Sequence, residues 1–353
     1  VAQGIRQQLL AGQAPSLETQ AQLLHQSPRT LRRRLEEQGL SFRQLLDQVR
    51  AEQQQQRNRL LVQDNELKAL PNIKGLEHPF LGALHQHDEQ WFLTNIAPQW
   101  NYVFTCIPGI MNALGQNPMF GLASDDQAGR LAALDFMQQA CAAIGKLNTH
   151  LGRQAVTAIQ IQTAPARHKA ASSRASLLAS LQTMLSWNWH GARIVIEHCD
   201  AYVEQQAPSK GFLALRDELD VIMQLNTELG KDQQLGMVIN WGRSVFETRR
   251  VAGAVEHIQA AQAAGVLSGL MFSGVSDQDS EYGAWRDSHQ PPQSSEKVVY
   301  GEPGSWMTEQ AMHSCLAACN DAAGLQVLGA KIGIRPHSAD IGQRMGYIRD
   351  TLA

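Results

Sequence analysis

The run ARIVIEHC (192–199) carries the reading of the fold. Its centre, Ile194-Val195-Ile196, is β-branched, and the apolar run is too short for a helix. A strand apolar on both of its alternating faces belongs in a parallel sheet covered on both sides. Six further runs of this kind occur: IKGLEHPF (73–80), NYVFTCI (101–107), AVTAIQIQT (155–163), GMVINW (236–241), LSGLMFSG (267–274) and QVLGAKIGI (326–334). Helix-like stretches lie between them, at 128–147, 174–189, 212–230, 252–265 and 309–324. Strand alternating with helix over about 290 residues predicts an α/β fold of the TIM (β/α)8 type, with an open doubly wound sheet as the competitor. Seven strands are found where eight are needed, and the gap falls before Lys68-Ala69-Leu70. The barrel is expected to lack its usual first strand, leaving either a substitute from near the N-terminus or an open edge.

A length of 353 residues suits about two domains. With 43% hydrophobic and 18% charged residues, the chain can build a real core and is not broadly disordered. No apolar run reaches the ~18–20 residues of a membrane helix, and the start lacks the order of a signal peptide. Five cysteines without a CxxC pair argue against a disulfide scaffold or a cysteine zinc site. The expectation is a reduced, cytoplasmic protein, with self-association left open.

Charge divides the chain. Residues 1–62 hold nine Lys/Arg against five Asp/Glu, whereas the remainder is acidic. We therefore expect a helical segment at 1–62 and a barrel at 63–353. Ser16 can cap a helix carrying Leu17, Ala21 and Leu24 on one face. Ser27-Pro28 opens a second, with Leu31 and Leu35 inward and Arg29, Arg32, Arg33 and Arg34 on its other faces. Gly39 ends it, and a third helix follows from Ser41 with Phe42, Leu45, Leu46 and Val49 inward. Two short helices, a tight turn and an arginine-rich second helix suit a DNA groove, so those four arginines are the candidate DNA contacts.

In a barrel, chemistry sits at the C-terminal ends of the strands. Those ends offer Glu77, His78, Gln162, Glu197, His198, Asn240, Arg243 and Lys331, and the loop after the sixth strand adds Tyr282, Trp285, Asp287 and His289. Aromatic faces beside carboxylates and amides suit a sugar, whose C–H faces stack and whose hydroxyls need donors and acceptors. Glu197, ending an apolar strand, reads as a general base or a metal ligand. His198 and Lys331 read as groups that stabilise a developing oxyanion. The other residues read as substrate contacts. GxGxxG, Walker A, HExxH and GxSxG motifs do not occur in the sequence, which weakens dinucleotide, nucleotide, zincin and hydrolase readings.

Two resemblances add to this. SLETQAQLLHQSPRTLRRRLEEQGLSFRQLLDQVR (16–50) resembles the first helix-turn-helix of AraC/XylS-type regulators through Ala21, Leu24, Ser27, Arg29, Leu31, Arg33, Leu35, Gly39, Phe42 and Arg50. Those regulators carry a second helix-turn-helix directly after it; here Gln53-Gln54-Gln55-Gln56 and an unrelated sequence follow. GLEHPF, FTCIPG, NPMFGLASDDQAGRLAAL, IQTAP, IVIEHCD, FSGVSDQDSEYGAW and the DSHQPP stretch resemble, in a match over roughly residues 66–353, a bacterial family similar to xylose isomerase and sugar-phosphate isomerase/epimerase barrels. That resemblance implies a sugar isomerase or epimerase working by proton transfer next to a carbonyl. It also implies a divalent metal (Mg, Mn or Zn) held by Glu, Asp, His and Glu. Of these only Glu197 transfers, because Asn240, Ser273 and Lys331 stand at or near the other positions. The alternatives are a sugar-responsive DNA-binding regulator and a fusion product in which neither part works.

Overall fold

The computed structural model of the chain describes residues 1–10, 16–50, 65–71, 73–230, 234–322 and 324–353. They form two compact units, Val1–Pro71 with His85–Asn95, and Asn72–Leu84 with Ile96–Ala353. The expected junction at Val62 and the glutamine run before it lie outside the described residues. No described helix is long and apolar enough to cross a membrane.

The first unit contains helices α1 (Ala2–Leu10), α2 (Leu17–Leu23), α3 (Pro28–Glu36), α4 (42–50) and α5 (Glu89–Asn95). The starts of α2, α3 and α4 each have a local cause. Ser16 Oγ accepts the Thr19 N–H at 3.0 Å, and Ser27 Oγ accepts the Thr30 N–H at 3.1 Å with Pro28 in the first turn. At α4 the cap is reciprocal: Ser41 Oγ accepts from Gln44 N, and Gln44 Oε1 accepts from Ser41 N. Gly39, at φ 73°, supplies the left-handed residue that ends the turn after α3. Leu17, Ala21, Leu31, Leu35, Leu45 and Val49 form one core, with Leu24, Phe42 and Leu46 at its margin. Helix α1, which the sequence reading did not anticipate, adds Ile5 and Leu9 to it. Arg29, Arg32, Arg33 and Arg34 are exposed, and Arg33 pairs with Glu37 one turn on, at 3.5 Å.

The second unit holds seven parallel strands: β1 (Gly75–Pro79), β2 (Asn101–Thr105), β3 (Val156–Ile161), β4 (Arg193–His198), β5 (Gly236–Asn240), β6 (Leu267–Phe272) and β7 (Val327–Ala330). Each lies inside one of the seven apolar runs. They pair strictly in chain order, which excludes the doubly wound sheet, whose order reverses. The sheet is strongly curled. In a flat sheet β1 and β7 would lie ~29 Å apart at ~4.8 Å per strand. Instead Lys331, directly after β7, reaches Glu77 of β1 at 2.7 Å and Glu197 of β4 at 2.9 Å. The result is a seven-stranded half-barrel, and among the described residues no strand pairs with the outer edges of β1 and β7.

Alternation along the strands assigns the faces. Ala158, Val195, Val238, Met271 and Val327, with Val103, form one cluster contributed by six strands, and this is the inner face. Counting on in steps of two places Thr105, Gln160, Gln162, Glu197, Asn240, Ser273 and Lys331 inward near the C-terminal ends. Glu77 is in register with Val103 and also faces in. The outer face is apolar, with Phe104, Ile159, Ile196, Ile239 and Leu270 buried. Helices α6 (Ile107–Gln116), α7 (Gln127–Leu151), α10 (Trp241–Thr248) and α11 (Ala252–Ala263) pack against the strands; α8 (Arg174–Leu185) lies between α7 and α9 (Leu215–Asn226), α12 (Glu309–Ala317) packs on α11, and α13 (Ile341–Leu352) ends the chain. Helices α6, α10 and α13 were not expected from periodicity. IPGIMNALGQ is broken by Pro and Gly, and α10 begins within a residue of its strand with Asn240 as cap.

Candidate functional site

The inner face carries an ionic cluster at its C-terminal end. Glu197 is completely buried. Its Oε1 accepts from Lys331 Nζ at 2.9 Å and Asn240 Nδ2 at 3.1 Å, and its Oε2 accepts from Gln162 Nε2 at 3.1 Å with Arg243 Nη1 at 3.8 Å. Burial works to raise its pKa, but Arg243, Lys331 and the hydrogen bonds outweigh that and hold it at about 2. Lys331 is shared with Glu77. Burial and the charge of Glu197 push the Glu77 carboxyl above its ordinary value, against the pull of Lys331. Burial disfavours the Lys331 ammonium, but its two carboxylates raise its pKa all the same. Two carboxylates thus flank one ammonium with opposite proton affinities.

A second tier of ions abuts the first. Arg243 on α10 lies 3.5 Å from Asp287, donates to Cys199 Sγ, and is itself buried. Lys210 reaches Asp287 at 3.0 Å, and His289 lies 3.3 Å from it. Despite burial, Arg243 first, with His289 and Lys210, holds Asp287 far below the carboxylate range, while burial lowers the pKa of His289 itself. Asp200 places Lys210 by accepting the backbone N–H groups of Ser209, Lys210 and Gly211. Trp285 and His289 both take left-handed backbone, at φ 46° and 53°, so the segment presenting Asp287 is strained on both sides. A cavity of 10 Å³, about one water molecule, lies between Arg243, Asp287, Ser273 and Phe246. Below the ions, Thr105 Oγ1, both amide atoms of Gln160 and Gln162 Oε1 are buried on the inner face without a hydrogen-bond partner among the described residues.

Of the residues singled out in the sequence, the structure brings together Glu77, Gln162, Glu197, Asn240, Arg243, Asp287, His289 and Lys331. Four others lie elsewhere. His198 follows Glu197 in the strand and therefore points to the opposite face. There Nδ1 meets Glu218 at 2.7 Å and Nε2 meets Glu247 at 3.0 Å. Burial alone would lower its pKa, yet the two carboxylates raise it to about 10. His78 turns outward for the same reason, against Phe104 and with Nε2 2.8 Å from Leu84 O. Tyr282 is buried and donates its hydroxyl to Gly333 O. Trp285 has Arg249 3.9 Å over its ring, so one of its faces is already covered. His198 thus lies as a buried bridge between Glu218 of α9 and Glu247 of α10, on the face opposite the inner cluster, while Tyr282 is engaged by Gly333 and Trp285 by Arg249.

The metal implied by resemblance does not fit here. Both oxygens of Glu197 are engaged by hydrogen-bond donors, and an ammonium and a guanidinium occupy the space a hard cation would need. Sequence reasoning placed Thr105 at a polar strand end but missed Gln160, Lys210 and the acids Glu218 and Glu247 around His198. Gln160 had a signal, a long amide inside the otherwise apolar run AVTAIQIQT. At the other end of the strands a cavity of 830 Å³ is lined by Gln154, Trp187, Trp189, Arg193 and Gln326. The Arg193 guanidinium there is spent on the carbonyls of Gln234 and Leu235.

An uncharacterized protein of Salmonella typhimurium (strain LT2) is 34% identical over 288 residues, covering 81% of this chain and 86% of its own length. Among solved structures, the apo form of 3-keto-D-glucoside 4-epimerase from E. coli aligns with a TM-score of 0.44 at 10% identity, over 80% of this chain and 100% of that one. D-psicose 3-epimerase crystallised with D-fructose aligns with a TM-score of 0.42 at 10% identity, over 74% and 84%. Residues 50–347 match the family described as Domain of unknown function (DUF4862), and the chain belongs to that family.

Proposed function

We propose that the inner cluster is a carbohydrate site that moves a proton on a carbon next to a carbonyl, as in isomerisation or epimerisation. One observation carries this reading: Lys331 lies between two carboxylates of opposite proton affinity at the chemical end of the strands. Separated proton affinities assign the roles. Glu77, whose protonated form is the more accessible, takes and returns the carbon-bound proton. Lys331 has three N–H donors, two of them engaged, so the third can bind the carbonyl oxygen and the enolate that forms from it. Glu197 stays anionic and fixes Lys331. This moves the base from Glu197, the sequence expectation, to Glu77. The unpartnered groups of Thr105, Gln160 and Gln162 supply donors and acceptors for hydroxyls. Glu77, Glu197 and Asp287 are matched by Lys331, Arg243 and Lys210, which favours a neutral ligand over an anionic one.

The test is solvent exchange. A panel of monosaccharides and keto-sugars is incubated with the protein in D2O and followed by proton NMR. Loss of one carbon-bound proton signal in a single sugar is expected, and Glu77→Gln should abolish it. A sugar that raises the melting temperature but exchanges no proton would sink the reading.

The exposed Arg29, Arg32, Arg33 and Arg34 favour a second reading for the helical unit, as a DNA contact. A gel shift on mixed duplex DNA that weakens with salt and with Arg33→Ala supports it, and no shift at low salt removes it.

A further inference from the structure

A second polar cluster lies on the outer face, built around the histidine that the inner site does not use. His198 Nε2 and His257 Nε2 both face the carboxylate of Glu247, at 3.0 Å from Oε2 and 3.8 Å from Oε1. The three ligand atoms lie within 4.8 Å of one another. Their other atoms are already fixed. His198 Nδ1 is hydrogen-bonded to Glu218 at 2.7 Å, and Glu218 is held in turn by Thr163 Oγ1 at 2.6 Å. His257 Nδ1 is bonded to Ser244 Oγ at 3.0 Å. Glu247 Oε2 also accepts the Ala201 N–H at 2.8 Å.

We propose that His198, Glu247 and His257 form a site for a divalent transition-metal ion, with Zn2+ as the best fit. Two imidazoles and one carboxylate are the ligand types such ions prefer over Mg2+ or Ca2+. Each histidine turns Nε2 to the common point while Nδ1 is held by an oxygen group, the outer-shell arrangement that orients metal-binding imidazoles. Bonds of ~2.05 Å in a tetrahedron put ligand atoms ~3.3 Å apart. The His198–Glu247 separation already meets this, and the histidine pair closes to it with small side-chain adjustments. The site is reachable, because the side chains of His257 and Glu247 are 12% and 15% exposed. Arg250, the cation nearby in sequence, is bound through both terminal nitrogens to Glu256 at 2.8 Å. The site lies on the opposite face of β4 from Glu197 and does not depend on the sugar reading.

The full chain, stripped with chelator, is titrated with Co2+ alone and followed by its visible ligand-field bands, then back-titrated with Zn2+. The expected result is one equivalent of Co2+, displaced by one equivalent of Zn2+. His257→Gln should weaken binding more than tenfold, and Ser244→Ala by about tenfold through loss of the Nδ1 partner. His257→Gln is at a partly exposed position and should melt like the metal-free wild type. Glu77→Gln, on the inner face, should bind as the wild type does. Absence of saturable binding, wild-type affinity in His257→Gln, or loss of binding in Glu77→Gln would each overturn the proposal.

Discussion

Replacing Glu197 by glutamine keeps its shape and removes its charge. In the fold this carboxyl titrates at about 2, against an ordinary value of 4.5. At 1.36 kcal/mol per pKa unit, the shift corresponds to about 3 kcal/mol of stability. The sign follows from the direction. A depressed carboxyl stabilises the fold above its unfolded pKa and loses that contribution as pH falls through its folded one. The wild type should therefore exceed Glu197→Gln by about 3 kcal/mol at pH 7, and the difference should close between pH 5 and pH 2. Denaturant unfolding followed by tryptophan fluorescence reads the barrel, since six of the seven tryptophans belong to that unit. Equal stability at pH 7, or a gap constant down to pH 3, would refute the account of how Lys331 and Arg243 act on this carboxylate.

Glu77→Gln is chemically the same change with the opposite expectation. A raised carboxyl stabilises the fold at low pH and loses that contribution as pH rises through its folded pKa, so the variant should match or exceed the wild type at pH 8 by the same unfolding assay. Gln160→Leu removes two unpartnered amide atoms; it should raise stability by about 1 kcal/mol and weaken the sugar-induced thermal shift. In the metal-free protein His198, raised to about 10, stabilises the fold most below pH 6.5, and that contribution fades as pH rises toward 10. His198→Gln should flatten this alkaline limb in thermal melts across pH 7–10.

All seven strands were legible because each is a short apolar run, and helix-like stretches separate most of them. Their register and curl were not, because they depend on pairings between distant segments. The site shows where the limit lay. Glu77-His78 and Glu197-His198 were each read as joint contributors, yet neighbours in a strand point to opposite faces, so only one of each pair could enter the barrel. That rule was available from the sequence. The sharing of Lys331 between Glu77 and Glu197 was not, because these partners stand 254 and 134 positions away along the chain. In the first unit, capping residues marked the helix starts well, while α1 lacked an identifiable cap and escaped notice.

The open seam bears on how the mouth moves. Central strands such as β4 are hydrogen-bonded along both edges, while among the described residues β1 and β7 are each bonded along one. Across the seam the tie identified is a side-chain one, Lys331 to Glu77. Local opening should therefore run outward from the seam, with amides of β1 and β7 exchanging with solvent well before those of β4 and β5. A ligand that displaces Glu77 from Lys331 would release this latch at the moment of binding, so breathing of the sheet and entry to the site would be one event.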